Sequence, residues 1–242
     1  MTRVLVPLAI LEGESVSTGL PTLLAPIDVT VLGYHVLPEQ TPPDQARLQY
    51  EDRATAALDD LVAQFEAAGA NADHRLVFTH DREQTIDRVA AETAADAAAI
   101  TGVTGPVDRL LVSLTGDVAV DRITSFVAEL VGDRDIGVTL FLATDDEPGG
   151  RESLEAAART LSERGIDAET ELAVDGSPFE VLVDAAADHD AVVVGERAPS
   201  LQSFLFGEEP ERVAAESVGP VLVVYEDRGD AAEHGDRPSD VT

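Results

Sequence analysis

The residue types best suited to chemistry are scattered along this chain. Its five histidines are His35, His74, His80, His189 and His234, and none stands at the paired spacing of a zinc-binding helix. His80-Asp81 falls at a predicted strand end, where the ligand sites of α/β proteins open. It aligns with Gly176-Ser177 further along, which makes it a turn and helix cap. His189 falls in a short turn before a strand, with no other ligand type in pattern. Asp59-Asp60, Asp145-Asp146 and Glu208-Glu209 have the chemistry for a divalent cation or for proton transfer. In so acidic a chain such pairs arise from composition alone, and they read as solvated surface. Cysteine is absent, which excludes thiol catalysis, zinc–thiolate sites and disulfides. Neither Gly-x-x-x-x-Gly-Lys-Ser/Thr nor Gly-x-Gly-x-x-Gly occurs, so P-loop and dinucleotide fingerprints are excluded. With no base, nucleophile or metal-ligand set in view, the chain reads as a non-enzyme without a metal site.

The elements that would position such residues are legible from apolar periodicity. Short apolar runs at about 3–10, 28–37, 73–79 and 97–101, then at about 109–114, 137–143, 168–174, 191–195 and 220–226, read as strands. Between them lie amphipathic stretches. Leu48, Ala54, Leu58, Leu61, Val62 and Phe65 mark one helix, and Ile86 and Val89 another. Further helices are predicted near 118–131, 150–164, 177–188 and 208–217, by the same spacing. Strand–helix alternation implies right-handed crossovers and a parallel sheet. Gly69, Gly132 and Gly165 sit where helix C-caps are expected.

Four landmarks recur in order. Arg3-Val4-Leu5-Val6 returns as Arg109-Leu110-Leu111-Val112, and Asp28-Val29-Thr30-Val31 as Gly137-Val138-Thr139-Leu140. Gly69 to Asp73 returns as Gly165 to Glu169, and Ala97 to Gly102 as Asp190 to Gly195. The chain therefore reads as a duplication. Residues 1–105 form a first unit lacking its last helix and strand, and 106–227 form a complete second unit. Residues 228–242, acidic and rich in Gly and Asp, read as a disordered tail.

Charge narrows the partners. The formal net charge of −31 is carried against basic residues that are all arginine. Acids occur in every segment, which fits a surface adapted to molar salt, where the Debye length falls to about 3 Å. The source is expected to be a halophile. No basic stripe exists to neutralise phosphates, so nucleic-acid binding is not expected. No run of about 18 apolar residues occurs and the first strand begins at Arg3, so the expectation is a cytoplasmic protein with no membrane insertion.

Ala191-Val192-Val193-Val194-Gly195-Glu196-Arg197, followed by Phe204-Leu205-Phe206-Gly207-Glu208, Glu211-Arg212-Val213 and Gly219-Pro220-Val221-Leu222-Val223-Val224, resembles the C-terminal half of universal stress protein domains. Val4-Leu5-Val6-Pro7 resembles that family's first strand. The resemblance spans nearly the whole chain as a tandem pair and implies Rossmann-like α/β domains with parallel sheets in the order 3-2-1-4-5. It also implies dimerisation, often through the fifth strands. Val221, Leu222, Val223, Val224 and Tyr225 are then the self-association strand, pairing with a second chain or with the fourth-strand edge of the first copy.

Many members of that family bind ATP in a loop of Gly, two residues, Gly, nine residues, then Gly and Ser or Thr. A phosphate loop needs small residues so that backbone N–H groups can approach the anion. Here Gly195 and Gly207 match, but Ala198 replaces the second glycine and Glu208 the hydroxyl residue, with the loop one residue short. A carboxylate at that point would repel a triphosphate. The first-strand acid of the family is replaced by Thr115 in the second copy and Ala9 in the first. Gly102 and Gly105 keep only the first half of the motif. Leu201, Phe204, Leu205 and Phe206, with Ser200 and Ser203, are expected to close the old cleft, the alternative being a lid or a partner-binding patch. The resulting expectation is a non-catalytic stress-type protein acting through a homodimer or a protein partner, with no cofactor. One alternative is an AMP or ATP sensor with a rearranged cleft. Another is a soluble accessory subunit of a membrane transporter.

Overall fold

The aliphatic runs pair into one sheet. A computed structural model describes residues 2–100, 102, 104–116, 119–198 and 219–226. Its strands are β1 (Arg3–Ala9), β2 (Asp28–Val36), β3 (Asn71–Thr79), β4 (Ala97–Ile100), β5 (Arg109–Ser113), β6 (Gly137–Ala143), β7 (Ala168–Ala173), β8 (Ala191–Gly195) and β9 (Val221–Val224). Its helices are α1 (Gly19–Leu23), α2 (Pro43–Ala68), α3 (Arg82–Glu92), α4 (Val120–Val131), α5 (Glu147–Ser162) and α6 (Pro178–Ala186). The expected helix near 208–217 and the expected tail from 228 lie outside the described residues.

The expectation of separate sheets, each in the order 3-2-1-4-5, needs correction, although β7-β6-β5-β8-β9 keeps that order within the whole. All nine strands join one sheet in the order β3-β2-β1-β4-β9-β8-β5-β6-β7. Neighbours are parallel throughout except at β4–β9, where Ala97–Ile100 runs antiparallel to Val221–Val224. The physical reason is an edge problem. β4 is a short apolar strand whose far edge would otherwise be bare, and an unpaired apolar edge is unfavourable in water. β9 covers that edge with one side and pairs with β8 by the other. Because β4 and β9 run in opposite directions, the C-terminal strand ends of the first four strands and of the last five open at opposite ends of the molecule.

Both faces of the sheet are covered, as a buried parallel sheet requires. On one face α1, α2, α4 and α5 pack against Val4, Val6, Val31, Leu110, Val112 and Leu222. On the other, α6 packs against Leu111, Val192 and Val223, and α3 against Leu5, Leu32 and Ala98. α4 shows how sequence sets this: Ile123, Phe126, Val127, Leu130 and Val131 lie on one stripe and are all buried. α2 buries Ala46, Ala54, Leu58, Leu61 and Phe65. Leu48, expected on this face, is 90% exposed. It sits out of phase with the others, whereas Ala46 and the half-buried Tyr50 continue the stripe at four-residue steps. Gly69 ends α2 at φ +108°, a left-handed cap that glycine adopts without steric cost. No helix among the described residues is long and apolar enough to cross a membrane.

Candidate functional site

In an open α/β sheet a ligand crevice forms at the C-terminal strand ends where the chain order reverses. Here such points lie between β1 and β4 and between β5 and β8. In the first, β1 pairs with β4 only through Val4 and Leu5, opposite Ala97 and Ala98. The ladder stops for a chemical reason. Alternate residues of a strand turn their backbone groups to the same neighbour, and the N–H of Asp96 donates to the carbonyl of Arg3. Leu5, Pro7 and Ala9 therefore face the β4 side as Arg3 does, and Pro7 has no N–H to give. Beyond it the strands part, and the next backbone group on that side is Ala9.

Ala9 is expected to stand in the place of a ligand-facing acid. Its N–H donates to Oε2 of Glu14 at 2.6 Å, and its carbonyl accepts from the N–H of Glu12 at 2.9 Å. A turn through Gly13, at φ +84°, makes both contacts possible. α1 lies backbone against backbone on the 104–105 segment. A Cβ placed on Gly19 would overlap the carbonyl oxygen of Gly105. The Gly105 carbonyl, in the segment expected to be a phosphate-loop remnant with Gly102, lies against α1 of the same chain.

Tyr34 of β2, 3% exposed, stands in register with Ala9 and has the Arg82 guanidinium 5.5 Å from its ring centre. Burial pushes the Tyr34 phenol above its ordinary value of 10.0; Arg82 pulls it down, while Glu14 and Glu12 push it further up. Sequence reasoning missed Glu12, Glu14, Tyr34 and Arg82. The available signal was the Gly13 turn set between two acids directly after a strand.

The second crevice is tied off differently. Thr115, 4% exposed, accepts the N–H of Ala143 at 2.9 Å with its hydroxyl, which binds the end of β5 to the end of β6. Gly195 is buried and begins a tight turn in which the N–H of Ala198 donates to its carbonyl at 3.0 Å. The turn is pinned to β9: the N–H of Glu196 donates to the carbonyl of Val224, and the N–H of Glu226 donates to a carboxylate oxygen of Glu196. Arg197 and Glu226 form an ion pair at 2.8 Å. Ala198, 3% exposed, packs with Val194, Val221 and Val223. Gly207, Glu208, Glu209, Ser200, Leu201, Ser203, Phe204, Leu205 and Phe206 lie outside the described residues.

The remaining sequence candidates hold the fold. Asp81 caps α3, its carboxylate accepting the N–H of Gln84 at 3.0 Å, and His80 Nδ1 lies 3.1 Å from the Leu37 carbonyl. Asp146 caps α5 in the same way through Gly149. Asp59 pairs with His74 at 3.6 Å. His189 donates from Nδ1 to the Ala185 carbonyl and meets the Thr139 hydroxyl through Nε2. No cluster of three metal-ligating side chains occurs among the described residues. Residues 221–225 lie inside the sheet, with β9 paired to β4 and to β8. Of the two partners expected for this strand, a second chain or the fourth-strand edge of the first copy, the structure has the latter, and neither edge of β9 is left free for the former.

Comparison with known proteins bears on the same region. Residues 127–225 match the universal stress protein family model. The universal stress match runs from within α4 to the residue after β9, and so includes Gly195, Ala198 and the strand at the seam. The crystal structure of a universal stress protein from Archaeoglobus fulgidus is similar over 94% of this chain and 97% of its own, at 17% identity and a TM-score of 0.65. A functionally unknown protein from Pseudomonas aeruginosa is similar over 94% and 93%, at 16% identity and a TM-score of 0.52. At such identities the likeness is one of fold. No curated protein matches the chain.

Proposed function

We propose that this chain is a non-catalytic regulatory or protective protein of universal stress type, which works through protein contacts and not through nucleotide turnover. The observation that carries this reading is the close backbone contact of Gly19 with Gly105, which sets α1 directly against the segment that carries the glycines left from the phosphate motif. Thr115, committed to the Ala143 N–H, and Ala198, committed to the core, support it for the second. Residues 1–105 and 106–227 are two copies of one unit sharing β9, and the acidic surface is that of a cytoplasmic protein working in concentrated salt.

Calorimetric titration with ATP and with AMP, in molar KCl with Mg²⁺ on protein stripped of bound nucleotide, tests the proposal. The expected result is no heat. Micromolar binding that disappears when Gly195 is replaced by a bulky residue would overturn it. The chain would then be an adenine-nucleotide sensor, a reading favoured by the buried glycine that ends β8 inside the matched family region.

A further inference from the structure

We propose that the segment Ile10–Thr18 is an autoinhibitory strap, in which Glu14 occupies with its own carboxylate a seat at the end of β1 that takes a small oxyanion, a carboxylate or a phosphate. This rests on the reading that the first crevice is closed, and adds that the closure is reversible. The seat is the N–H of Ala9, the first backbone donor beyond Pro7 on the side where β1 and β4 part. In this protein that donor is given to a carboxylate from five residues further along the chain, not to a carbonyl of the sheet. A charge-assisted bond of this kind is the contact an oxyanion ligand would make in its place.

The surroundings fit an anion seat. The Arg82 guanidinium lies over Tyr34, the residue of β2 in register with Ala9, and Glu14 is close enough to the Tyr34 phenol to raise it. Glu12, also felt by Tyr34, is the opposing charge there. The strap is not built for sealing alone. Ser17, within it, has a buried hydroxyl with no hydrogen-bond partner, a group that a permanent plug would satisfy or replace by an apolar one. The strap also lacks regular structure: Gly13 turns it, and Glu12, Gly13, Glu14 and Ser15 are exposed. Ile10, Leu11 and Val16 anchor its two ends in the core, and it is the exposed stretch between them, with few buried contacts, that opens first.

The test uses the full chain in molar KCl, with inorganic phosphate and acetate as probes. Glu14→Ala is expected to bind one of them at least tenfold more tightly than the unaltered protein. Amide exchange over residues 9–18 should accelerate by a similar factor, and Tyr34 should ionise at lower pH. Glu12→Ala removes the same charge without the hydrogen bond and should leave exchange at Ala9 unchanged. Should Glu14→Ala lose its far-UV circular dichroism, Glu14→Gln replaces it. Its neutral oxygen holds the Ala9 N–H more weakly, so it should give the same effects at smaller size. Equal probe affinity and equal exchange in the unaltered and Glu14 variants would overturn the strap. Nucleotide binding by the unaltered protein would instead overturn the closed-crevice reading, so the two failures are distinguishable.

Discussion

Single residues decide how the strand ends are used. At Gly19 and at Gly219 an added methyl group would meet a backbone carbonyl, of Gly105 and Asp190 respectively, and backbone yields less readily than the tip of a side chain. Gly19→Ala and Gly219→Ala are each expected to lower stability by about 1–3 kcal/mol, the range for overpacking a tight site. Denaturant unfolding at fixed KCl measures this, with Gly137→Ala as the control, since its added carbon would find ordinary contact distances. Tyr34 gives a second test. Its phenol is raised by burial, so the folded state keeps the proton after the unfolded chain has lost it. That contribution is whole below the unfolded value near 10 and falls as pH climbs through the higher folded value. Unfolding free energy should therefore decline above about pH 10, and in Tyr34→Phe the decline should be shallower. An identical pH profile in the two proteins would show that Tyr34 ionises freely.

At the scale of elements, the seam is the β4–β9 junction, the antiparallel step of an otherwise parallel sheet. β9 gives one edge to each half, and Asp96 fixes the junction: its carboxylate accepts the Arg3 N–H and the Arg122 guanidinium, while its carbonyl accepts the Tyr225 N–H. Arg134 adds a second tie, donating to the carbonyls of Thr22 and Leu23 at the end of α1 and of Leu130 in α4. Val223→Asp places an unpaired charge on the buried strand that pairs with both halves. It should abolish a single cooperative unfolding transition, whereas Val174→Asp, on a residue 38% exposed, should change little. Survival of one sharp transition in Val223→Asp would mean that the seam is not what makes the halves unfold together. The strands themselves were legible because each is a short apolar run bounded by turn residues. α1 was not: its five residues include a glycine and a proline, too few for a period to show. The fourth-strand edge was one of two partners open to β9, but neither that choice nor its antiparallel direction could be read, since apolar periodicity says which face a strand buries and not which distant edge it meets. The same holds at the candidate site. Ala9, Gly102, Gly105 and Ala198 could be named from the sequence, but what fills the space beside them depends on contacts between segments far apart in the chain.

The whole molecule combines a net charge of −31 with a core made mostly of Val, Leu, Ile and Ala. These features respond to salt in the same direction. Self-repulsion among surface carboxylates favours the expanded chain and is screened as the Debye length shrinks from about 10 Å at 0.1 M to about 3 Å at 1 M. Local ion pairs such as Arg88–Glu92 and Arg151–Glu147 are exposed and i,i+4, so their screening removes little. The melting temperature is therefore expected to rise steeply with KCl up to about 1 M, where screening is nearly complete. Above that it should rise more gently if the added stability comes from burial, and more with sulfate than with chloride, because sulfate is excluded from protein surface. Differential scanning calorimetry across both salts separates the two regimes. A melting temperature indifferent to salt below 1 M would mean that the carboxylates are neutralised within the fold, contrary to their distribution along exposed helix faces and loops. A rise below 1 M that stops there, with chloride and sulfate equal, would leave charge repulsion as the whole effect and the aliphatic core as an ordinary one.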